Sequence, residues 1–352
     1  MMGALNLKGC WVPLIVLAAS WLPLAAASDW VGDSANLPEQ ALLAVSIVSF
    51  APSDQADLPQ NVRDSEALYF SYLARQVLEE SEQWGPVRMV PISAEGFELE
   101  VSGKVVRSSP EQLTIRFSAV DASGRVWLDG SLDHQAAATD YAEVTEPHAQ
   151  LFADLNAALI TARQDLSLSQ LEGVITLGEL RRAAWLVPQA FGGLLTEAEG
   201  RYTINRLPAR DDPLFSRVQR IQQAQELYTD TVDPTYRAFF DEMQPTYILW
   251  RRALFESNQM MTAYRQQSAG RKARDKSARA LYFELRERKL FEQTLRETME
   301  SFLFEARPTA IRLEGEVQEL SGTLTEQASQ WQDILRRIYE AEVGLDLPTV
   351  VD

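Results

Sequence analysis

Three runs of alternating apolar and polar residues, separated by turn-forming residues, constrain this chain's fold more than any other feature. Phe97, Leu99 and Val101 alternate along Phe97–Val106, and Leu113, Ile115 and Phe117 along Leu113–Val120; Val126–Leu132 follows. A period of two puts the apolar set on one face of a pleated strand and the polar set on the other. The connections Ser108-Ser109-Pro110 and Asp121-Ala122-Ser123-Gly124 suit hairpins, with the glycine supplying the positive φ such a turn requires. The three runs read as a meander, buried on one face and open to solvent or a partner on the other.

Flanking segments complete a layered domain. Leu42 to Phe50 reads as a buried strand closed by Ala51-Pro52, and Val87 to Pro91 as a second short one. Between them, Leu68, Tyr69, Tyr72, Leu73, Val77 and Leu78 keep helical spacing, and the helix stops near Gln83. After the meander, Pro147 opens a helix whose Leu151, Phe152, Leu155, Leu159, Ala162 and Leu166 form a stripe suited to cover the sheet. Residues 41–168 are thus expected to form an α/β sandwich domain.

Residues 174–352 change character and are expected to be mainly helical. Thr176-Leu177-Gly178-Glu179 has capping-box spacing ahead of a short helix ending at Pro188, and Gly192-Gly193 reads as a break between short helices. Asp212-Pro213 and Asp233-Pro234 each place a capping side chain before a proline, so each marks a new helix. Apolar spacing from Tyr236 through Phe240, Met243, Tyr247 and Trp250 continues that helix, with a kink at Pro245. Arg265 to Ala280 holds no large apolar residue, and the stripe resumes from Leu281 to Leu303. The pattern predicts a long helical hairpin with Arg271, Lys272, Arg274, Lys276 and Arg279 at its tip; one long helix is the alternative. A small β-hairpin at 310–320 and a final helix, opened by the capping box Thr323 and Glu326, close an α+β chain.

The first 28 residues have the order of a secretory signal peptide: Lys8, an apolar run from Trp11 to Ala27, and small residues at Ala25 to Ser28. The run is about 17 residues long and interrupted by Pro13 and Pro23, which is poor for a membrane anchor. Residues 1–27 are therefore expected to be removed, leaving a soluble, exported, periplasmic protein without a transmembrane segment. The single cysteine, Cys10, lies too early to be a lipidation site and leaves with the signal, so the mature chain has no thiol chemistry.

A formal net charge of −17 argues against general nucleic-acid binding, which requires neutralising phosphates. The balance is uneven, however: Arg251 to Leu290 carries eleven basic residues against four acidic ones. The five basic residues of the hairpin tip are the candidate contact for an anionic envelope ligand or an acidic partner. As a charged helix face they need do nothing but meet water.

No cofactor and no metal is expected. With two histidines, His134 and His148, and no mature cysteine, a zinc site lacks ligands; the two could be close, since one follows the last strand and the other opens a helix. Asp211 and Asp212 read as helix-start residues rather than as a metal pair. No Gly-x-Ser-x-Gly elbow, Ser-x-x-Lys pair, Walker loop or dinucleotide fingerprint is present. Trp84 and Trp127 read as core residues, with a ligand groove at the sheet edge as the other possibility.

Ala44-Val45-Ser46-Ile47-Val48-Ser49-Phe50, Trp84-Gly85-Pro86-Val87-Arg88-Met89-Val90-Pro91, Val101-Ser102-Gly103-Lys104-Val105 and Gly124-Arg125-Val126-Trp127-Leu128-Asp129 carry a resemblance. The N-terminal domain resembles the small α/β domains of bacterial envelope accessory proteins: the Tol-system propeller protein's N-terminal domain, curli-secretion-type lipoproteins and auxiliary lipoproteins of ABC transporters. Over most of its length the chain also resembles a group of exported bacterial proteins of unassigned function. The resemblance implies a non-catalytic scaffold acting through protein–protein contacts and transfers no catalytic residue. A periplasmic hydrolase using acidic residues, or a binder of anionic envelope ligands, is the alternative expectation.

Overall fold

The sheet forms where the alternation places it. In the computed structural model, five strands run β1 (Val45–Val48), β2 (Val87–Val90), β3 (Leu99–Ser108), β4 (Gln112–Asp121) and β5 (Val126–Gln135), in the spatial order β2-β1-β3-β4-β5. Residues 41–55, 58–142, 145–268, 309–313 and 316–343 are described, with 282, 285–286, 289–297 and 300. The described residues belong to one compact unit, Leu37–Asp352. The signal segment 1–27 and the basic tip Arg271, Lys272, Arg274, Lys276 and Arg279 lie outside the described residues.

β1 pairs in parallel with β2 and β3, while β3, β4 and β5 form the antiparallel meander. The register shifts between Val105 and Arg107, a bulge that turns Val106 outward to 47 % exposure. Val45, Ile47, Leu99, Val101, Ile115 and Phe117 are all buried on one face. Over it lie α1 (Gln60–Glu80) and α2 (Ala149–Gln164), with Phe70 of α1 and Phe152 of α2 in ring contact at 6.0 Å. Pro147 precedes α2 rather than sitting in its first turn; His148 occupies the cap position.

Three local signals resolve differently. α3 (Leu168–Leu186) begins eight residues before Thr176, because Ser167 and Gln170 form the working capping box; Thr176 lies inside the helix, donating to the Glu172 carbonyl. After α4 (Pro188–Phe191) and the tight turn Gly192–Leu194 comes a hairpin that the sequence reading missed, β6 (Leu195–Ala198) and β7 (Arg201–Ile204). Its turn uses Glu199 and Gly200, both at positive φ. Asp212 does cap α5 (Pro213–Ser268), accepting from the Leu214 and Phe215 amides. Asp233-Pro234, by contrast, starts nothing: α5 continues through both Pro234 and Pro245.

α5 is the spine of the remainder. Its Phe240 stacks on Tyr69 and Tyr72 of α1 at 5.0 and 4.6 Å, and farther toward its start it reaches the sheet, where Arg88 of β2 meets Asp230 at 2.8 Å. The predicted C-terminal hairpin is present as β8 (Thr309–Leu313) and β9 (Glu316–Leu320), followed by α6 (Leu324–Val343) with its Thr323–Glu326 capping box. Trp331 of α6 stacks on Tyr228 of α5 at 5.8 Å. The result is an α+β architecture of the class the sequence implies. Among the described residues no helix is long and apolar enough to cross a membrane.

The polar face of the β4–β5 half of the sheet carries Arg116 and Asp129, paired at 2.9 Å yet 60 % and 53 % exposed. β5 is ten residues long and, among the described residues, an edge strand with a strand partner only on its β4 side.

Candidate functional site

The chemistry-bearing side chains converge beneath α5. Glu66 occupies a position of α1 three and four residues before Tyr69 and Phe70, so helical geometry places it on the buried face. On α5, Tyr247 and Arg251 are likewise one turn apart and face α1. Ser108 ends β3, His134 lies near the end of β5, and Glu146 and His148 occupy the loop that enters α2. Glu66, His148, Tyr247 and Arg251 are all within 1 % of complete burial.

Arg251 organises the network. Its Nη1 donates to Ser108 Oγ at 2.9 Å and lies 3.6 Å from Glu66 Oε1, while Nη2 meets His148 Nε2 at 2.8 Å. Ser108 Oγ and Tyr247 OH donate to the same Glu66 oxygen at 2.8 and 3.0 Å. Glu66 Oε2 and Arg251 Nε have no hydrogen-bond partner among the described residues. Glu146 accepts from Tyr69 OH at 2.8 Å and from the His148 amide at 3.2 Å.

Because a guanidinium only donates, the histidine protons follow from the geometry. His148 Nε2 is an acceptor, so the neutral ring carries its proton on Nδ1, which donates to His134 Nδ1 at 3.1 Å. Burial, reinforced by the charge of Arg251 and by His134, pushes the His148 pKa down to about 2. Burial also raises the carboxyls of Glu66 and Glu146, against the opposing pull of Arg251 and the hydroxyl donors.

Raised carboxyls beside an imidazole are the ingredients of acid–base catalysis. A reacting group, however, must reach them. Glu66, His148, Tyr247 and Arg251 are instead buried away from solvent. The network's geometry is that of a polar bridge joining α1, the sheet, the α2 entry and α5.

His134 and His148 are therefore brought together, bonded to each other. Among the described residues no group of three or more histidine, cysteine, aspartate or glutamate side chains could hold a metal ion. Asp212 is a helix cap, as its place before a proline implies. Trp84 and Trp127 are in ring contact at 6.2 Å, and their indole N–H groups donate to Asn156 and Asp121, so both are bound into the packing.

Glu66, Ser108, Glu146, Tyr247 and Arg251 escaped the sequence reading. The signal available was a charge at a stripe position: Glu66 within the apolar face of α1, and Arg251 between Tyr247 and Leu254. Comparison of the chain with family models, with curated proteins and with solved structures finds no match.

Proposed function

We propose that the protein is a non-catalytic accessory or scaffold protein of a bacterial cell envelope, acting in the periplasm through protein–protein contacts. The observation that carries this reading is that the acid, base and imidazole groups Glu66, Glu146 and His148 are hydrogen-bonded inside the fold, joining helices and sheet, with Glu66 and His148 buried away from solvent. The signal-like N-terminus supplies the compartment. The contact surface is the exposed face around Arg116 and Asp129 with the open edge of β5, and the partner is an extended segment that adds to that edge as a strand.

The test separates scaffold from enzyme in cells that depend on the protein. His148→Gln retains an acceptor for Arg251 and a donor for His134, so the folded variant should support growth as the parent does. A photo-crosslinking residue at Ser131 should trap one envelope protein, and Asp129→Lys should abolish the crosslink together with function. A folded His148→Gln protein without function, or function that survives the loss of the crosslink, would overturn the proposal.

A further inference from the structure

On the other side of the sheet, two cavities adjoin. One, of about 80 Å³, lies between β1, β2, β3 and α5 and is lined by Glu98, Glu100 and Glu226 with Arg88. The other, of about 160 Å³, is walled by Trp185 and Leu186 of α3, Ile221 of α5 and Leu335 of α6. Ala94, Arg182 and Gln225 line both. An acidic chamber and one whose apolar wall is completed by Ser93, Glu95 and Gln332 thus share a boundary that contains a guanidinium.

That guanidinium is incompletely used. Arg182 Nη2 donates to the Gly96 carbonyl at 2.8 Å, but Nε and Nη1 are shut off from solvent and have no hydrogen-bond partner. Gly96 makes room for it: its φ is +84°, and a Cβ there would lie 2.5 Å from Arg182 Cβ. Orphaned guanidinium donors cost free energy unless an acceptor arrives. The second arginine is not spare, since Arg88 is committed to Asp230 at 2.8 Å.

The carboxylates pose the converse problem. Glu98 accepts from the Ala44 amide at 2.6 Å and Glu100 from Ser93 Oγ at 2.5 Å, but neither has an ion-pair partner within 4 Å among the described residues. Burial raises both carboxyls, Glu226 and Glu179 raise Glu98 further, and the charges of Arg182 on Glu98 and Arg181 on Glu100 oppose the rise in part. A simple anion would answer Arg182 and be repelled by three glutamates. A simple cation would compete with Arg182 for the glutamates that already face it and would leave its orphaned donors without an acceptor. A zwitterion answers both, and the apolar chamber has the size of cavities that hold a benzene ring, about 150 Å³.

We propose that these adjoining cavities bind a free α-amino acid with an apolar side chain. Its carboxylate accepts from Arg182 Nη1, its ammonium faces Glu98, Glu100 and Glu226, and its side chain enters the chamber of Trp185, Leu186, Ile221 and Leu335. The site is built on β1, β2, β3 and α5, two strands from the β5 edge, and its binding is read on the protein alone, without a docking partner.

The experiment is calorimetric and thermal-shift titration of the full chain with leucine and phenylalanine, against 4-methylpentanoate, isopentylamine and the dipeptide Gly-Leu. Leucine or phenylalanine should bind and raise the melting temperature, with each half-ligand and the dipeptide at least about tenfold weaker. Arg182→Met and Glu98→Gln should each cut affinity by about tenfold or more, and Arg182→Lys, which keeps the charge but not the planar guanidinium that reaches both Gly96 and the ligand, should restore little. Equal binding of 4-methylpentanoate or isopentylamine would reduce the site to a simple ion pocket, and Gly-Leu binding as tightly as leucine would make it a peptide-end site. Either result, or no binding of any amino acid up to about 10 mM by a chain that melts cooperatively, overturns the proposal.

Discussion

Arg251 is enclosed on every side, and its charge is answered by a single carboxylate and a ring of hydroxyl and imidazole acceptors. Such a pair is expensive to desolvate and is no guarantee of stability, but breaking it strands a buried charge, at about 3–5 kcal/mol. Glu66→Gln and Arg251→Met should each destabilise by about that amount, and the double variant by roughly 1–3 kcal/mol less than the sum, read from urea denaturation. His148 gives the network a pH signature. Unfolded, it takes up a proton below about pH 6.5; folded, it remains neutral to about 2, so the unfolded state binds more protons in that window. Its contribution to stability is complete above the upper value and falls with pH by about 1.4 kcal/mol per unit. Glu66 and Glu146 act oppositely, gaining stability as pH falls toward the ordinary carboxyl range. Comparing denaturation at pH 7 and about pH 5, His148→Gln should lose less stability than the parent. None of these residues was legible as a site, because the sequence shows only isolated charges within apolar stripes. Their convergence depends on α5 lying across α1.

Among the elements, those with strong periodicity were legible and those resting on a local motif were not. The meander, α1, α2, the C-terminal hairpin and α6 follow alternation or helical stripes sustained over many residues. The Asp233-Pro234 start failed because Tyr228, Val232, Tyr236 and Phe239 form one buried stripe passing through the proline, and continuous burial outweighs one missing hydrogen bond. Asp233 instead pairs with Arg75 of α1 at 3.1 Å. Since a proline in a helix interior forfeits a bond to the carbonyl four residues before it, Pro234→Ala should stabilise the protein by about 1–3 kcal/mol. A thermal melt measures it. The β6–β7 hairpin was missed for want of apolar alternation: its strands are short and largely exposed. It is anchored by backbone, Tyr202 N donating to Ser123 O at 2.9 Å, and by the approach of Gly124, where a Cβ would fall 1.9 Å from the Gly200 carbonyl oxygen.

The molecule as a whole is held together by α5, whose buried face continues the core begun by the sheet and α1. A chain truncated at residue 168 would expose Tyr69 and Tyr72, which α5 covers, and would leave Glu66 without Arg251. That fragment should bind a hydrophobic dye and lack near-UV dichroism and a cooperative transition. Cooperative unfolding of the fragment would instead mark residues 41–168 as an autonomous domain.

The distance along the chain between the partners of the network also dictates timing. Tyr247, which donates to Glu66, follows it by 181 residues. At ordinary rates of synthesis, that gap is roughly 10 to 35 s. Until it closes, the emerging sheet and α1 lack both the helix that covers Tyr69 and Tyr72 and the guanidinium that answers Glu66. The first half can collapse early but cannot finish its core, so the last packing step waits for contacts of long sequence separation.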